Sequence, residues 1–349
     1  MSLPTTSRQY AYSKPGSFNN LVIQEVPVAA PKANEVLVKT HAVSLQFRDL
    51  MVASGAYPAQ LPPNLVPCSD MAGVVVSVGE DVKGWNPGDR VCANFMIDKL
   101  DSEISLDIVN SALGGAIHGV LTEYRSFPAH SLVAIPDHLS YEEASTLPCA
   151  ALTAYNALLS GYEPLKAGDT VLVQGTGGVS IFALQFAVAS GATVIALSSS
   201  DEKLKVATQL GAKHVINYKT TPDWDKEVLK LTGGAGVDRV IEVVGNITLE
   251  RSFSSVRMNG SIDIIGLLGG VGAAPPVDII RPSIFKGLKI RGIFVGSVTQ
   301  FKNMNKLIAA NPNTTRPLID KVFEFEQAKE AFAHLQSQKH VGKVVIKVN

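Results

Sequence analysis

Thr170-Val-Leu-Val-Gln-Gly-Thr-Gly-Gly-Val-Ser180 is the stretch that decides the fold of this chain. It opens with a β-branched apolar run over 170–174, breaks at the glycines, and continues as an apolar helix over 179–190. A phosphate-binding turn needs one glycine for the tight bend and another so that backbone can approach a pyrophosphate. Gly175 and Gly177 fit those roles, Gly178 adds backbone freedom, and Thr176 and Val179 complete the turn. The helix behind it offers unpaired N–H groups and a positive dipole end. Ser180 replaces the usual third glycine, so helix and strand must accept a small side chain there. Glycine turns are common. The weight here comes from the order strand, turn, helix, second strand.

Downstream the alternation continues, with strands over 193–197, 214–216, 238–243, 261–265 and 290–295 and helices over 201–210, 225–231 and 251–256. Such spacing implies right-handed crossovers and a doubly wound parallel sheet, hence an α/β protein. Where NAD sites place Asp or Glu for the ribose 2′-OH, this chain reads Ser198-Ser199-Ser200, with Lys203 close behind. Three hydroxyls and a cation suit a 2′-phosphate, so NADPH is the expected cofactor. Asp201 is the counter-signal, because it could reach a ribose hydroxyl. Ser200 or Asp201 equally fits the N-cap of the next helix.

Upstream the chain is β-rich, with short strands expected over 21–26, 35–40, 72–78 and 90–93, the last entered through Asn86-Pro87-Gly88-Asp89. Residues 98–110 read as an acidic surface excursion with at most one helical turn. The tail holds a helix over 325–336 and a strand over 342–348. The 349 residues favour two domains. Lys plus Arg and Asp plus Glu are both 31, which gives no field for nucleic acid or an anionic membrane. No apolar run approaches a membrane span, no secretory signal opens the chain, and three scattered cysteines make no disulfide framework. A soluble protein of the reducing cytoplasm is the default expectation.

A set of ordered motifs then resembles the medium-chain dehydrogenase/reductase superfamily, in particular its quinone oxidoreductase-like and enoyl reductase-like branch. The motifs are Glu35-Val-Leu-Val-Lys39, Ala42-Val-Ser-Leu-Gln-Phe-Arg-Asp49, Asp70-Met-Ala-Gly-Val74, Pro87-Gly-Asp-Arg-Val91, Leu147-Pro-Cys-Ala-Ala-Leu-Thr-Ala-Tyr155, Gly175-Thr-Gly-Gly-Val179 and Gly342-Lys-Val-Val345. The resemblance covers nearly the whole chain. It implies a GroES-like catalytic domain over 1–127, completed by 303–349, and a Rossmann domain over 128–302, with the cofactor in the cleft separating them. It further implies Tyr218 near the 2′-phosphate, Val244, Gly245, Gly266 and Leu267 along the cofactor, and Phe294 and Val295 at the carboxamide. Thr153 and Gln46 would lie beside the nicotinamide. For the apolar positions core packing competes on even terms. Tyr57 matches a proton donor or carbonyl partner of enoyl reductase-like relatives, against the alternative that it merely packs. Tyr57, Phe95, Phe127 and parts of 267–271 are the expected pocket walls.

Zinc-dependent relatives carry Cys, a His-Glu pair and Cys where this chain has Gln46, Ser69-Asp70 and Cys149. A catalytic zinc needs three protein ligands and an open position, and the four-cysteine lobe is also missing between Asn94 and His118. No metal is expected. The leading expectation is hydride transfer from NADPH to an activated alkene or a quinone. The alternatives are an alcohol dehydrogenase or carbonyl reductase on the same fold, and a non-catalytic NADPH-binding structural or sensor protein. The resemblance also implies a homodimer through the strand Gly292-Ile-Phe-Val-Gly296 at the edge of the nucleotide sheet.

Overall fold

In the computed structural model, which describes residues 4–161, 163–270 and 275–348, the alternating segment forms a six-stranded, all-parallel sheet. Its strands run His214–Asn217, Thr193–Ser198, Thr170–Gln174, Val237–Glu242, Val256–Ile264 and Lys289–Gly292 across the sheet. Apolar runs such as Thr170–Gln174, buried from Val171 onward, are what a sheet without a solvent face requires. The chain starts at the centre, walks outward to His214–Asn217, then returns to lay Val237–Glu242 on the other side of Thr170–Gln174. That reversal creates a switch point, and the strand ends flanking it carry Gly175 and Val243 to Gly245.

The other unit is β-rich as expected. Among the described residues it holds a seven-stranded mixed sheet. Glu35–Ser44, longer than the sequence suggests, pairs with Asp70–Val78, with Tyr124–Pro128 and with the C-terminal Lys343–Lys347. Thr6–Tyr12 and Leu21–Pro27 form a separate hairpin. Its core gathers Leu21, Val36, Leu45, Met71, Phe127, Phe325, Phe332 and Ile346.

The chain divides between Leu152 and Thr153 and again between Phe294 and Val295, not at 127/128 and 302/303, with Asn313–Thr315 also grouped with the nucleotide sheet. The physical reason is pairing: Leu132–Ala134 joins Arg90–Ala93 in the mixed sheet, so residues beyond 127 still belong to the first unit. The expected strand over 290–295 also ends early, at Gly292. Beyond it Val295 takes φ 50, a left-handed conformation costly for a β-branched residue, and strand pairing cannot continue through it. The helix Val298–Ala310 was not foreseen, although its capping box, Ser297 with Gln300, stands in the sequence. The excursion at 98–110 contains one short helix, Leu106–Val109. Among the described residues no helix is long and apolar enough to cross a membrane.

Candidate active site: an open nucleotide turn and a closed polar cluster

The strand Thr170–Gln174 delivers the chain into Gly175, whose φ of 74 admits glycine almost alone. Gly177 is the N-cap of Gly178–Ala189, and a Cβ built there meets nothing within 4 Å. No side chain caps this helix. Among the described residues nothing accepts from the N–H groups of Gly178, Val179 and Ser180, so an anion-binding end stands open. Ser180 turns inward, its Oγ donating to the Gln174 carbonyl at 2.6 Å. The missing third glycine has thus become a strand-to-helix hydrogen bond. Thr176 is buried within the turn.

At the second strand end Ser198 is buried and its carbonyl accepts from the Tyr218 N–H at 3.0 Å, which brings Tyr218 beside the serines. The Tyr218 side chain is exposed. Ser200 caps Asp201–Gln209 by accepting from the Lys203 N–H, so Lys203 rises from the first turn of that helix. Ser199 lies between them, half-buried. Asp201, the counter-signal, accepts from the Asn217 amide at 2.8 Å on an exposed surface.

Across the switch point Val244 and Gly245 connect Val237–Glu242 to the helix Asn246–Ser255. Gly245 has φ 96 and ψ −145. Its missing Cβ would sit 3.6 Å from the Gly266 carbonyl oxygen and 3.7 Å from Leu267, so these sequence-predicted residues are neighbours. Gly266 is itself obligatory, since a Cβ there would stand 2.3 Å from the Val243 carbonyl oxygen. Leu267 is exposed; Val271, the last expected wall residue of that stretch, lies outside the described residues. Phe294 is at the border of exposure, and Val295 is buried.

Two residues the sequence reading passed over hold this edge together. Glu242, fully buried, accepts from the N–H groups of Val244 (2.9 Å) and Gly245 (3.0 Å) and from Thr248 Oγ1 (2.7 Å) on one oxygen. Its other oxygen accepts from Ser252 Oγ (2.5 Å) and Gln174 Nε2 (2.8 Å). A carboxylate directly after the apolar pair Val240-Ile241 at the end of a central strand was the available signal.

In the β-rich unit the expected metal-replacing positions converge on one carboxylate. Asp70, buried at the start of Asp70–Val78, accepts from Gln46 Nε2 (2.6 Å), the Cys149 N–H (2.9 Å) and Ser69 Oγ (2.6 Å). Gln46 also begins the helix Phe47–Ser54, its N–H donating to Asp49 at 2.7 Å. Lys343, buried nearby, donates from Nζ to the Leu45 carbonyl at 2.5 Å and acts electrostatically on Asp49 and Asp70. Burial pushes Asp70 up to about 7 and Asp49 up to about 6, and pushes the Cys149 thiol well up. The zinc that such folds can carry does not fit this donor set. Both oxygens of Asp70 are engaged and Gln46 turns its amide nitrogen to it, which leaves Cys149 without the two further protein ligands a catalytic zinc takes. Cys149 belongs to a π-helical turn, Leu147–Ala151, which leads into Leu152–Leu159 and buried Thr153.

Tyr57 is half-buried, and its ring lies on the Arg48 guanidinium, 4.5 Å from centre to Cζ. Phe95 covers the same guanidinium at 4.6 Å. Arg48 is further held by donating to the Leu113 carbonyl at 2.7 Å. Among the described residues the Tyr57 hydroxyl has no hydrogen-bond partner. Two expected pocket walls are corrected here. Phe127 is a core residue, since its strand pairs with Glu35–Ser44 and points it into the core. Phe95 is fully buried behind Arg48.

Comparison with known proteins agrees with both units. Residues 32–137 match the alcohol dehydrogenase GroES-like domain family, and residues 178–310 match the zinc-binding dehydrogenase family. A zinc-type alcohol dehydrogenase-like protein of Schizosaccharomyces pombe is 46% identical over 98% of this chain and 99% of its own length. Quinone oxidoreductase of Homo sapiens is 26% identical over 92% of each. The crystal structure of a putative alcohol dehydrogenase from Sinorhizobium meliloti 1021 superposes with a TM-score of 0.90 at 38% identity, covering 99% of this chain and 100% of that one.

Proposed function

The chain belongs to the medium-chain dehydrogenase/reductase superfamily, and from that premise we propose an NADPH-dependent oxidoreductase that works without zinc and reduces an activated alkene or a quinone. That it is an oxidoreductase of a fold that binds NAD or NADP follows from the family; NADPH, metal independence and substrate class are the proposal. The observation that carries it is the engagement of Asp70 by Gln46, Ser69 and Cys149, with no metal-ligand set among the described residues. Oxidising an unactivated alcohol without a Lewis acid demands strong acid–base help. A conjugated acceptor needs only a hydride, polarisation of its carbonyl and a proton.

Gly175, Thr176, Gly177, Gly178 and Val179 would hold the pyrophosphate, with Ser198, Ser199, Ser200, Lys203 and Tyr218 around the 2′-phosphate. The absence of an acid in Ser198 to Ser200, and the hydrogen bond that Asn217 gives Asp201, support the phosphorylated cofactor. When bound, the cofactor supplies the hydride. Tyr57, with its hydroxyl unengaged and its ring fixed on Arg48, would supply the proton. Gln46 and Thr153 would orient the reacting ends. A homodimer through the sheet edge, expected at 292–296, would use the edge strand Lys289–Gly292 instead, with exposed Ile280, Ile284 and Phe285 just before it. A second reading, alcohol oxidation, is favoured by the names of several relatives. Turnover with enones, quinones and ketones under NADPH, and with alcohols under NADP+, separates the readings. Enone or quinone reduction is expected, and activity confined to alcohols would overturn it.

A further inference from the structure

Five hydrogen bonds onto one buried carboxylate, with no lysine or arginine paired to it among the described residues, are more than a strand end needs. We infer that Glu242 is the positioning residue of the dinucleotide site, locking the turn at Val244 and Gly245 to the strand end that carries Gly175. Its reach is set by geometry. Gln174, immediately before Gly175, gives its amide nitrogen to Glu242 and to Ser252 Oγ, and its amide oxygen accepts from the Val243 N–H at 3.4 Å. The Gln174 carbonyl meanwhile accepts from Ser180 on the turn's own helix. One continuous network therefore joins the two strand ends that flank the switch point, where a dinucleotide lies along an open α/β sheet.

The network needs an acceptor with no proton of its own, which among neutral and ionised side chains means a carboxylate. In Glu242→Gln the new amide cannot face Val244, Gly245 and Thr248, which are donors. It must turn its nitrogen to Gln174, which then has to flip and present its own nitrogen to the Val243 N–H. Either way two donors confront each other, and the turns lose their fixed spacing.

The inference rests only on the dinucleotide part of the functional reading, not on NADPH over NADH or on a substrate. The test titrates substrate-free protein with NADPH and separately with NADH, following nucleotide fluorescence, with circular dichroism and melting of the unliganded protein as a check on folding. Glu242→Gln should weaken both nucleotides about tenfold or more, as loosened site geometry does. The loss should fall on affinity, not on kcat at saturating nucleotide. Thr248→Val, which removes a single outer donor, should weaken both about threefold, and it decides the question if Glu242→Gln does not fold. A folded Glu242→Gln with wild-type affinity for both nucleotides overturns the inference, as does a Thr248→Val indistinguishable from wild type when only that variant folds. A wild type preferring NADH would count against the NADPH reading and leave Glu242 in its role.

Discussion

Two helices start at the same edge of the nucleotide sheet, neither with a side-chain cap, and they differ in what stands just before them. Gly178–Ala189 begins at uncapped Gly177 and leaves its first N–H groups open. Asn246–Ser255 begins against Glu242, which takes the N–H groups of Val244 and Gly245 and the hydroxyl of Thr248. Both ends carry the positive pole of a helix, worth about 0.3–1 kcal/mol to a nearby anion. In one the anion is built in; in the other it must arrive. The difference teaches that a buried carboxylate can fix the turn leading into one helix while the neighbouring turn relies on glycine alone. The turn held by Glu242 then serves as the rigid reference for the glycine turn.

The sharpest way to break this comparison is to put a carboxylate at the glycine turn too. Gly177→Asp places a carboxylate where a Cβ meets nothing, so the fold should hold. NADPH affinity should fall about a hundredfold, or ~2.7 kcal/mol, by fluorescence titration; unaltered binding would remove the nucleotide from this turn. Tyr57→Phe keeps the ring on Arg48 and deletes only the hydroxyl. Its kcat on an enone should fall roughly 10–1,000-fold with NADPH affinity steady, whereas unchanged kcat assigns Tyr57 to packing. Lys203→Ala should weaken NADPH about tenfold, the scale of one charge-assisted hydrogen bond. Its NADH binding should not move, and equal losses for both would deny it the 2′-phosphate.

A smaller effect lies in the closed cluster. Asp70 is pushed up to about 7 by burial, above the 3.8 of an ordinary aspartate, so the folded state holds its proton more tightly than the unfolded state. Its contribution to stability is therefore greatest near pH 4 and is lost as pH rises towards 7. Asp49 adds in the same sense up to about 6. Buried Lys343, pushed down, opposes them, so the comparison with a variant isolates Asp70. Tm of the wild type should fall more steeply than that of Asp70→Asn between pH 5 and 7 by calorimetry. Parallel slopes would mean that Asp70 does not titrate there.

The nucleotide half was legible because its chemistry is backbone chemistry. Glycines at 175 and 177 mark the strand-to-helix turn by position along the chain, and the structure brings Tyr218 to Ser198 and Gly245 to Gly266. The cluster at Asp70 was half legible. The sequence reading placed Gln46, Ser69, Asp70 and Cys149 in one lost metal site, yet it did not see Lys343 arriving from the last strand. Gln174 escaped for the same reason, since its side-chain partners Glu242, Val243 and Ser252 lie 68 or more residues away, and Glu242's tie to it escaped with it although its other partners are local. Phe127 misled because an aromatic residue on a short strand reads equally as wall or core until the pairing with Glu35–Ser44 fixes its face. Val295 looked like strand and is not, because local β-propensity yields where the chain must turn.

The most direct test of the account is to measure bound metal and then kcat/KM for a conjugated enone and a quinone with NADPH, before and after prolonged chelation. Well under one zinc per chain and unchanged kcat/KM are expected. Stoichiometric zinc, with activity that chelation abolishes and zinc restores, would contradict it.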